Sequence, residues 1–386
     1  MPRRRTWFAP CLLALALVVA ACGGGAEDAD GVDEAGGVES VVGSEGDTSG
    51  DEVADEKPSP DDEVDPADQA DAEPVLSVVT TVAPIADLVA QVGGDRVEVA
   101  SLVPAGGDAH TYEPRPQDVV VLTEADAYLG IGLQLNEGAL RLAEENLPED
   151  APIILLGELA LSDADLVFDH SHDDGHSHGD DGHSHGDDGH SHGDDGHTHG
   201  EDELGPNPHV WTSLRNAAAL VAGIADALAE LDPDGAELYA DNAMAYQDEL
   251  EALDTRIRDA TVTIPAANRT LVTYHDAWTY FARDYDLDYA TAVQPADFSE
   301  PSAAEVRAVI DLIRDLEVPV VFGSDVFPTP VLETIAEETG ADYVANLSDD
   351  VLPGEPGSAE HTYLELMRRN AHAIVNGLGG DASELR

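Results

Sequence analysis

Ten of the chain's fifteen histidines lie between His170 and His199. A tandem repeat spaces most of them. Asp-Asp-Gly-His-Ser-His-Gly occurs four times from Asp173 to Gly200, with Thr198 for serine in the last copy. Imidazole and carboxylate are ligands for borderline divalent metals such as zinc. His176, His178, His183, His185, His190, His192, His197 and His199 are therefore candidate auxiliary, weak metal sites. So much glycine and so little apolar side chain leave nothing to bury, and a disordered loop is expected over residues 163–205.

Five histidines stand outside this segment: His110, His209, His275, His361 and His372. His110 lies in Asp108-Ala109-His110-Thr111-Tyr112-Glu113-Pro114. His209 lies in Asn207-Pro208-His209-Val210-Trp211. His275 lies in Tyr274-His275-Asp276-Ala277-Trp278. Taken singly, each would read as a hydrogen-bonded structural histidine. Together they share a context, in loops that follow strands or precede helices. Loops at the carboxyl ends of parallel strands are where open α/β sheets bind ligands. Neutral imidazole is the commonest zinc ligand, so these three are candidate ligands of one metal site. His361 precedes the last helix and His372 lies within it; both read as surface or capping residues.

Something must bring residues so far apart in sequence together. Short β-branched runs at 75–81, 97–103, 127–131 and 153–156 read as buried strands. Segments with helical spacing alternate with them, at 84–92, 117–125 and 136–146. A helix is expected over 213–231 and a much longer one from 236 to about 260. The alternation then restarts, with strands at 270–273, 288–293, 318–322 and 342–347 and helices between and after them. This pattern predicts an α/β fold of two lobes with mainly parallel central sheets, joined by one long interdomain helix. The N-terminal lobe is placed at 75–232, the linking helix at 233–264 and the C-terminal lobe at 265–386. A helix of that length suggests a rod between the lobes.

With 386 residues the chain has room for two domains. The net charge of -63 excludes nucleic acid as a partner, because phosphate binding needs basic patches. It fits cation capture, high solubility or a salt-rich setting. Arg3, Arg4 and Arg5 precede a short apolar run from Cys11 to Ala21, too short to span a bilayer as a mature helix. The run ends in Val19-Ala20-Ala21-Cys22, which resembles a lipobox. Residues 1–21 are expected to be a lipoprotein signal peptide and Cys22 the lipidated residue. Residues 22–74, rich in Gly, Ser, Pro, Asp and Glu, should form a disordered acidic tether. The mature chain would then be extracytoplasmic and anchored to the cell membrane without spanning it. Cys11 is the other cysteine and would leave with the signal, so no disulfide is expected.

From Val75 to Leu378 the chain resembles the zinc/manganese-binding solute receptors of ABC transporters, the cluster A-I, TroA/ZnuA-like lipoproteins. The resemblance rests on His110-Thr111-Tyr112-Glu113-Pro114, on Asn207-Pro208-His209-Val210-Trp211 and on Tyr274-His275-Asp276-Ala277-Trp278-Thr279-Tyr280-Phe281, in that order. It implies a receptor rather than an enzyme. It also implies a monomer that hands its metal to a membrane permease driven by a partner ATPase. The family's metal sits between the lobes, held by two residues from each. Carried over, the N-terminal ligands are His110 and His209, and the first C-terminal ligand is His275. The fourth is an aspartate before the last helix. Asp350 fits best and Asp349 is the alternative, because this loop is one residue longer than the usual pattern. Ala109 stands where some zinc receptors have a carboxylate, which favours Asp350 over water.

Manganese-binding members usually carry a glutamate where His275 stands. Imidazole suits zinc and harder oxygen ligands suit manganese, so Zn2+ is the expected cargo and Mn2+ the second reading. Its affinity is expected to fall as protons compete below about pH 6.5. A zinc hydrolase is disfavoured by the lack of a His-Glu-x-x-His helix and by a fourth ligand closing the position a catalytic water needs. A surface zinc buffer or adhesin, working without a transporter, is the remaining alternative.

Overall fold

The computed structural model describes residues 74–168, 205–294, 301–324 and 330–386. The expected signal peptide, the tether with Cys22 and the histidines from His170 to His199 lie outside the described residues.

The N-terminal lobe runs β1 (Leu76–Thr80), α1 (Ala83–Gly93), β2 (Val97–Ser101), α2 (Pro116–Glu124), β3 (Ala127–Gly130), α3 (Glu137–Asn146), β4 (Ile153–Leu155) and α4 (Leu156–Ala160). Its four strands pair in parallel in the order β2-β1-β3-β4. In β1 the neighbours Val78 and Val79 are both fully buried, as in a strand covered on both faces.

Two helices follow, α5 (Leu214–Leu231) and α6 (Ala236–Thr261). The C-terminal lobe then runs β5 (Thr270–His275), α7 (Thr279–Asp284), β6 (Asp288–Gln294), α8 (Ala303–Asp315), β7 (Val320–Ser324), α9 (Pro330–Thr339), β8 (Asp342–Leu347) and α10 (Tyr363–Gly377). Its strands are also parallel, in the order β6-β5-β7-β8. In each lobe the first strand lies inside the sheet and the chain winds to both sides of it. That reversal opens a crevice at the carboxyl ends of the strands.

The 26-residue helix α6 is about 39 Å long at 1.5 Å per residue. It is more than the rod its length suggests. Tyr239, Ala243, Tyr246, Leu250, Leu253, Ile257 and Ala260 are buried, at alternating spacings of four and three that keep them on one face. That face packs on α5, α1 and α10, so elements of both lobes share it. A single buried apolar cluster accordingly runs from Leu76 in one lobe to Leu385 in the other. Fully burying a leucine-sized side chain stabilises by roughly 1.5–3 kcal/mol, and a charge at Leu250 or Leu253 would break this spine. A further tie joins the lobes directly. The Asp87 carboxylate on α1 accepts the backbone N–H of Tyr363, at the start of α10, at 2.8 Å.

Candidate metal centre

The three candidate histidines reach one place by different routes. His275 is the last residue of β5, two residues beyond the expected strand end, and pairs with Gln294 of β6. His209 precedes a single 3-10 turn, Val210–Thr212, which leads into α5. Ser213 caps α5 by accepting the N–H of Asn216. His110 lies in the connection between β2 and α2. A turn there closes with Gly107 N–H donating to the Pro104 carbonyl at 2.9 Å, and Gly106 takes a φ of 76°, where a side chain would be strained.

The Nε2 atoms converge. His110 Nε2 lies 2.9 Å from His209 Nε2, and His275 Nε2 lies 3.0 Å from the same atom. Tetrahedral ligands with metal–nitrogen bonds near 2.05 Å stand about 3.3 Å apart, so a sub-ångström adjustment would seat one ion among them. Asp349 lies beside two of these rings. Its Oδ2 lies 3.6 Å from His275 Nε2 and 3.9 Å from His209 Nε2. His209, His275 and Asp349 are buried and His110 is half-buried.

Asp350 is placed differently. Its Oδ2 accepts the backbone N–H of Ala109 at 3.1 Å, and Ala109 is fully buried. With Asp349 facing the imidazoles, Asp350 faces the segment that carries His110. The turn is braced from α10, where Asn370 accepts the Ser348 N–H at 2.9 Å and donates to the Ser348 carbonyl at 2.6 Å. Ser348 Oγ donates to the Val351 carbonyl at 2.9 Å.

Burial sets the protonation. It holds the His275 imidazole down at about 3, with the nearby His110 adding to the effect. It holds His209 well below the usual histidine value, with help from His275 and His110. It also lowers His110, against the pull of Asp108. All three rings are therefore neutral near pH 7 and offer lone pairs. For His209 the tautomer is fixed as well. Asn207 Oδ1 lies 2.9 Å from Nδ1, while its amide nitrogen donates to the Asp276 carbonyl at 2.7 Å. The oxygen therefore faces the ring, Nδ1 carries the proton, and Nε2 is left to bind.

The segment bearing His209 is fastened firmly to the C-terminal lobe, which no motif in the sequence signals. Tyr280 Oη donates to the Asn207 carbonyl at 2.6 Å and Thr212 Oγ1 to the Ala277 carbonyl at 2.8 Å. Trp211 Nε1 donates to the Asp349 carbonyl at 2.8 Å, and Tyr363 Oη donates to the Trp211 carbonyl. The tryptophan and tyrosines were visible in the sequence, but their partners lie 65 or more residues away. His361 and His372 lie apart from the cluster. His361 is half-buried with Nδ1 3.3 Å from the Pro353 carbonyl, and His372 is on α10.

Among the described residues, His110, His209 and His275 form a group able to hold a metal ion. The sequence also matches the family described as zinc-uptake complex component A, periplasmic, over residues 78–377. The chain belongs to this family. Zinc-uptake component A proteins and their TroA-like relatives are metal-binding substrate receptors of ABC transporters, not enzymes. The high-affinity zinc uptake system protein ZnuA of Paracoccus denitrificans is 36% identical over 307 residues, 80% of this chain and 93% of that one. The manganese-binding lipoprotein MntA of Halalkalibacterium halodurans is 28% identical over 305 residues, 78% of this chain and 88% of that one. The solved periplasmic zinc-binding protein TroA of Treponema pallidum is 25% identical with a TM-score of 0.64, covering 78% of this chain and 99% of that one.

Proposed function

We propose that this chain is an extracytoplasmic receptor that captures Zn2+ with high affinity and delivers it to the permease of an ABC importer. The carrying observation is the convergence of the His110, His209 and His275 Nε2 atoms with the Asp349 carboxylate at the junction of the lobes. Three imidazoles and one carboxylate make a near-tetrahedral set of the kind zinc prefers. Four protein donors also leave no open position for a catalytic water, which suits cargo rather than a cofactor. Zn2+ with three neutral imidazoles and one carboxylate keeps a charge near +1. The strongly acidic chain, with a net charge of -63, offsets it.

The higher identity to the Paracoccus zinc protein supports zinc. The similarity to the Halalkalibacterium manganese protein keeps manganese as a second reading. Metal analysis of protein purified without added metal, followed by competition, separates them. The zinc reading expects a single tightly held zinc that excess manganese does not displace. Displacement by comparable manganese would overturn it.

The histidine repeat has the role of gathering zinc or sensing its excess. Its flanks support this. Phe168 and Pro206 form an antiparallel bridge, and Asn207 N–H donates to the Val167 carbonyl at 2.8 Å. The described flanks of the repeat therefore meet three positions before His209. Cys22 carries the lipid, residues 22–74 are the tether, and the receptor works as a monomer.

A further inference from the structure

We infer that Asp350 is a positioning residue whose carboxylate latches the His110 segment onto the C-terminal lobe and so sets how fast the metal leaves. This rests on the receptor reading and deepens it. His209, His275 and Asp349 form one mechanical unit. His275 ends a paired strand, Asp349 is held in a turn braced by Asn370, and the His209 segment is fastened to that lobe through Asn207, Thr212, Trp211, Tyr280 and Tyr363. His110 arrives separately, on the connection between β2 and α2. It is also more exposed than the other three donors.

The peptide next to His110 is gripped from both sides. Asn136, the N-cap of α3, donates to the Ala109 carbonyl from the N-terminal lobe. Asp350 accepts the Ala109 N–H from the C-terminal lobe. Ala109 is fully buried, so its N–H has no water to turn to if the carboxylate goes. A carboxylate acceptor also makes a stronger bond than a neutral one. An ion held by four donors leaves by shedding the most mobile one first. Releasing the Ala109 peptide frees His110 while the other three donors stay in place. The tandem Asp349-Asp350 thus divides the labour, with one carboxylate toward the ion and its neighbour toward the fourth ligand's backbone.

The test measures zinc release into a chromophoric chelator and the absorption spectrum of the Co2+-loaded protein, for wild type, D350A, D350N and D349A. D350A is expected to release zinc roughly tenfold faster, as follows from losing a hydrogen bond to a charged group. Its Co2+ spectrum and its single metal equivalent should match wild type. D350N keeps a carbonyl acceptor and should restore much of the slow release; it also serves if D350A does not fold. D349A should alter the Co2+ spectrum, because a ligand is lost. A D350A spectrum altered like that of D349A would overturn the inference by making Asp350 the ligand. Unchanged release from D350A and D350N would overturn it by showing no latch. A wild-type protein with no tight equivalent would instead sink the receptor reading.

Discussion

Asn207 holds His209 through one oxygen. Its Oδ1 accepts the His209 backbone N–H at 3.0 Å and the ring Nδ1–H at 2.9 Å. Its amide nitrogen meanwhile donates to the carbonyl of Asp276, the residue after His275. One side chain therefore sets the tautomer of one proposed ligand and ties it to the backbone beside another. Proline follows it in sequence and fixes the local backbone, so the asparagine, proline and histidine work as one device.

Replacing that asparagine should weaken binding without abolishing the site. Asn207→Leu removes the acceptor of the Nδ1 proton and the tie to Asp276. Loss of such an outer partner typically costs 10–100-fold in metal affinity. We expect that loss by chelator competition, with a single equivalent still bound. Unchanged affinity would mean that the hydrogen bond does not orient the ligand.

The depressed imidazoles also make the metal-free protein acid-sensitive. In the unfolded chain His275 takes a proton near pH 6.5, whereas in the folded chain it does so only near 3. Between those values the unfolded state binds more protons, so stability falls as pH drops from 6.5 toward 3. The slope is about 1.4 kcal/mol per pH unit for that histidine, and His209 acts in the same direction. Urea unfolding of metal-free protein at pH 7.5 and 5.5 should show wild type losing about 1 kcal/mol more than His275→Leu. Equal losses would refute the buried neutral imidazole.

The same burial delays proton competition for the metal. An isolated imidazole would begin to lose zinc below about pH 6.5, as the sequence alone suggests. Here burial lowers all three rings, with His209 and His275 held well below that point. Affinity should change by less than about threefold between pH 7.5 and 6, once the chelator's own protonation is allowed for. A tenfold drop by pH 6 would contradict it.

The alternation of strands and helices was plain in the sequence because both sheets are parallel and covered, which makes their strands short apolar runs. Helix α9 and strand β8 begin and end where the residue pattern changes. The three histidines were also legible as a group, since each sits in or beside a loop that follows a strand or precedes a helix. The choice between Asp349 and Asp350 was not. It depends on Asn370 gripping Ser348 from a helix 22 residues further on, and residue type says nothing about which neighbour then faces inward. The fastening of Trp211 to Asp349 was hidden for the same reason. It joins residues 138 positions apart, and an indole N–H in a sequence does not name its acceptor.

That fastening can be probed by Trp211→Phe. Phenylalanine keeps most of the buried ring and removes the donor to the Asp349 carbonyl. Withdrawing a partner from a buried group costs roughly 1–3 kcal/mol. We expect unfolding stability to fall by that amount, and zinc affinity to fall with it because the turn carrying Asp349 loosens. Lost stability at unchanged affinity would separate the junction of the lobes from the metal centre.

The buried centre and the histidine repeat can be separated by removing each in turn. Both offer imidazole, and the donors of the centre are buried or half-buried, with His209 hydrogen-bonded in place. From its composition alone, rich in glycine and poor in apolar side chains, the repeat is expected to offer several weak sites. Deleting Asp173 to Gly200 should therefore remove the weak phase of a zinc titration calorimetry trace and leave a single tight equivalent. His275→Ala in the full chain should do the reverse, leaving the weak phase and removing the tight one. If the deletion removes the tight equivalent while His275→Ala leaves it intact, the functional site lies in the repeat, and the convergence of His110, His209 and His275 has another purpose.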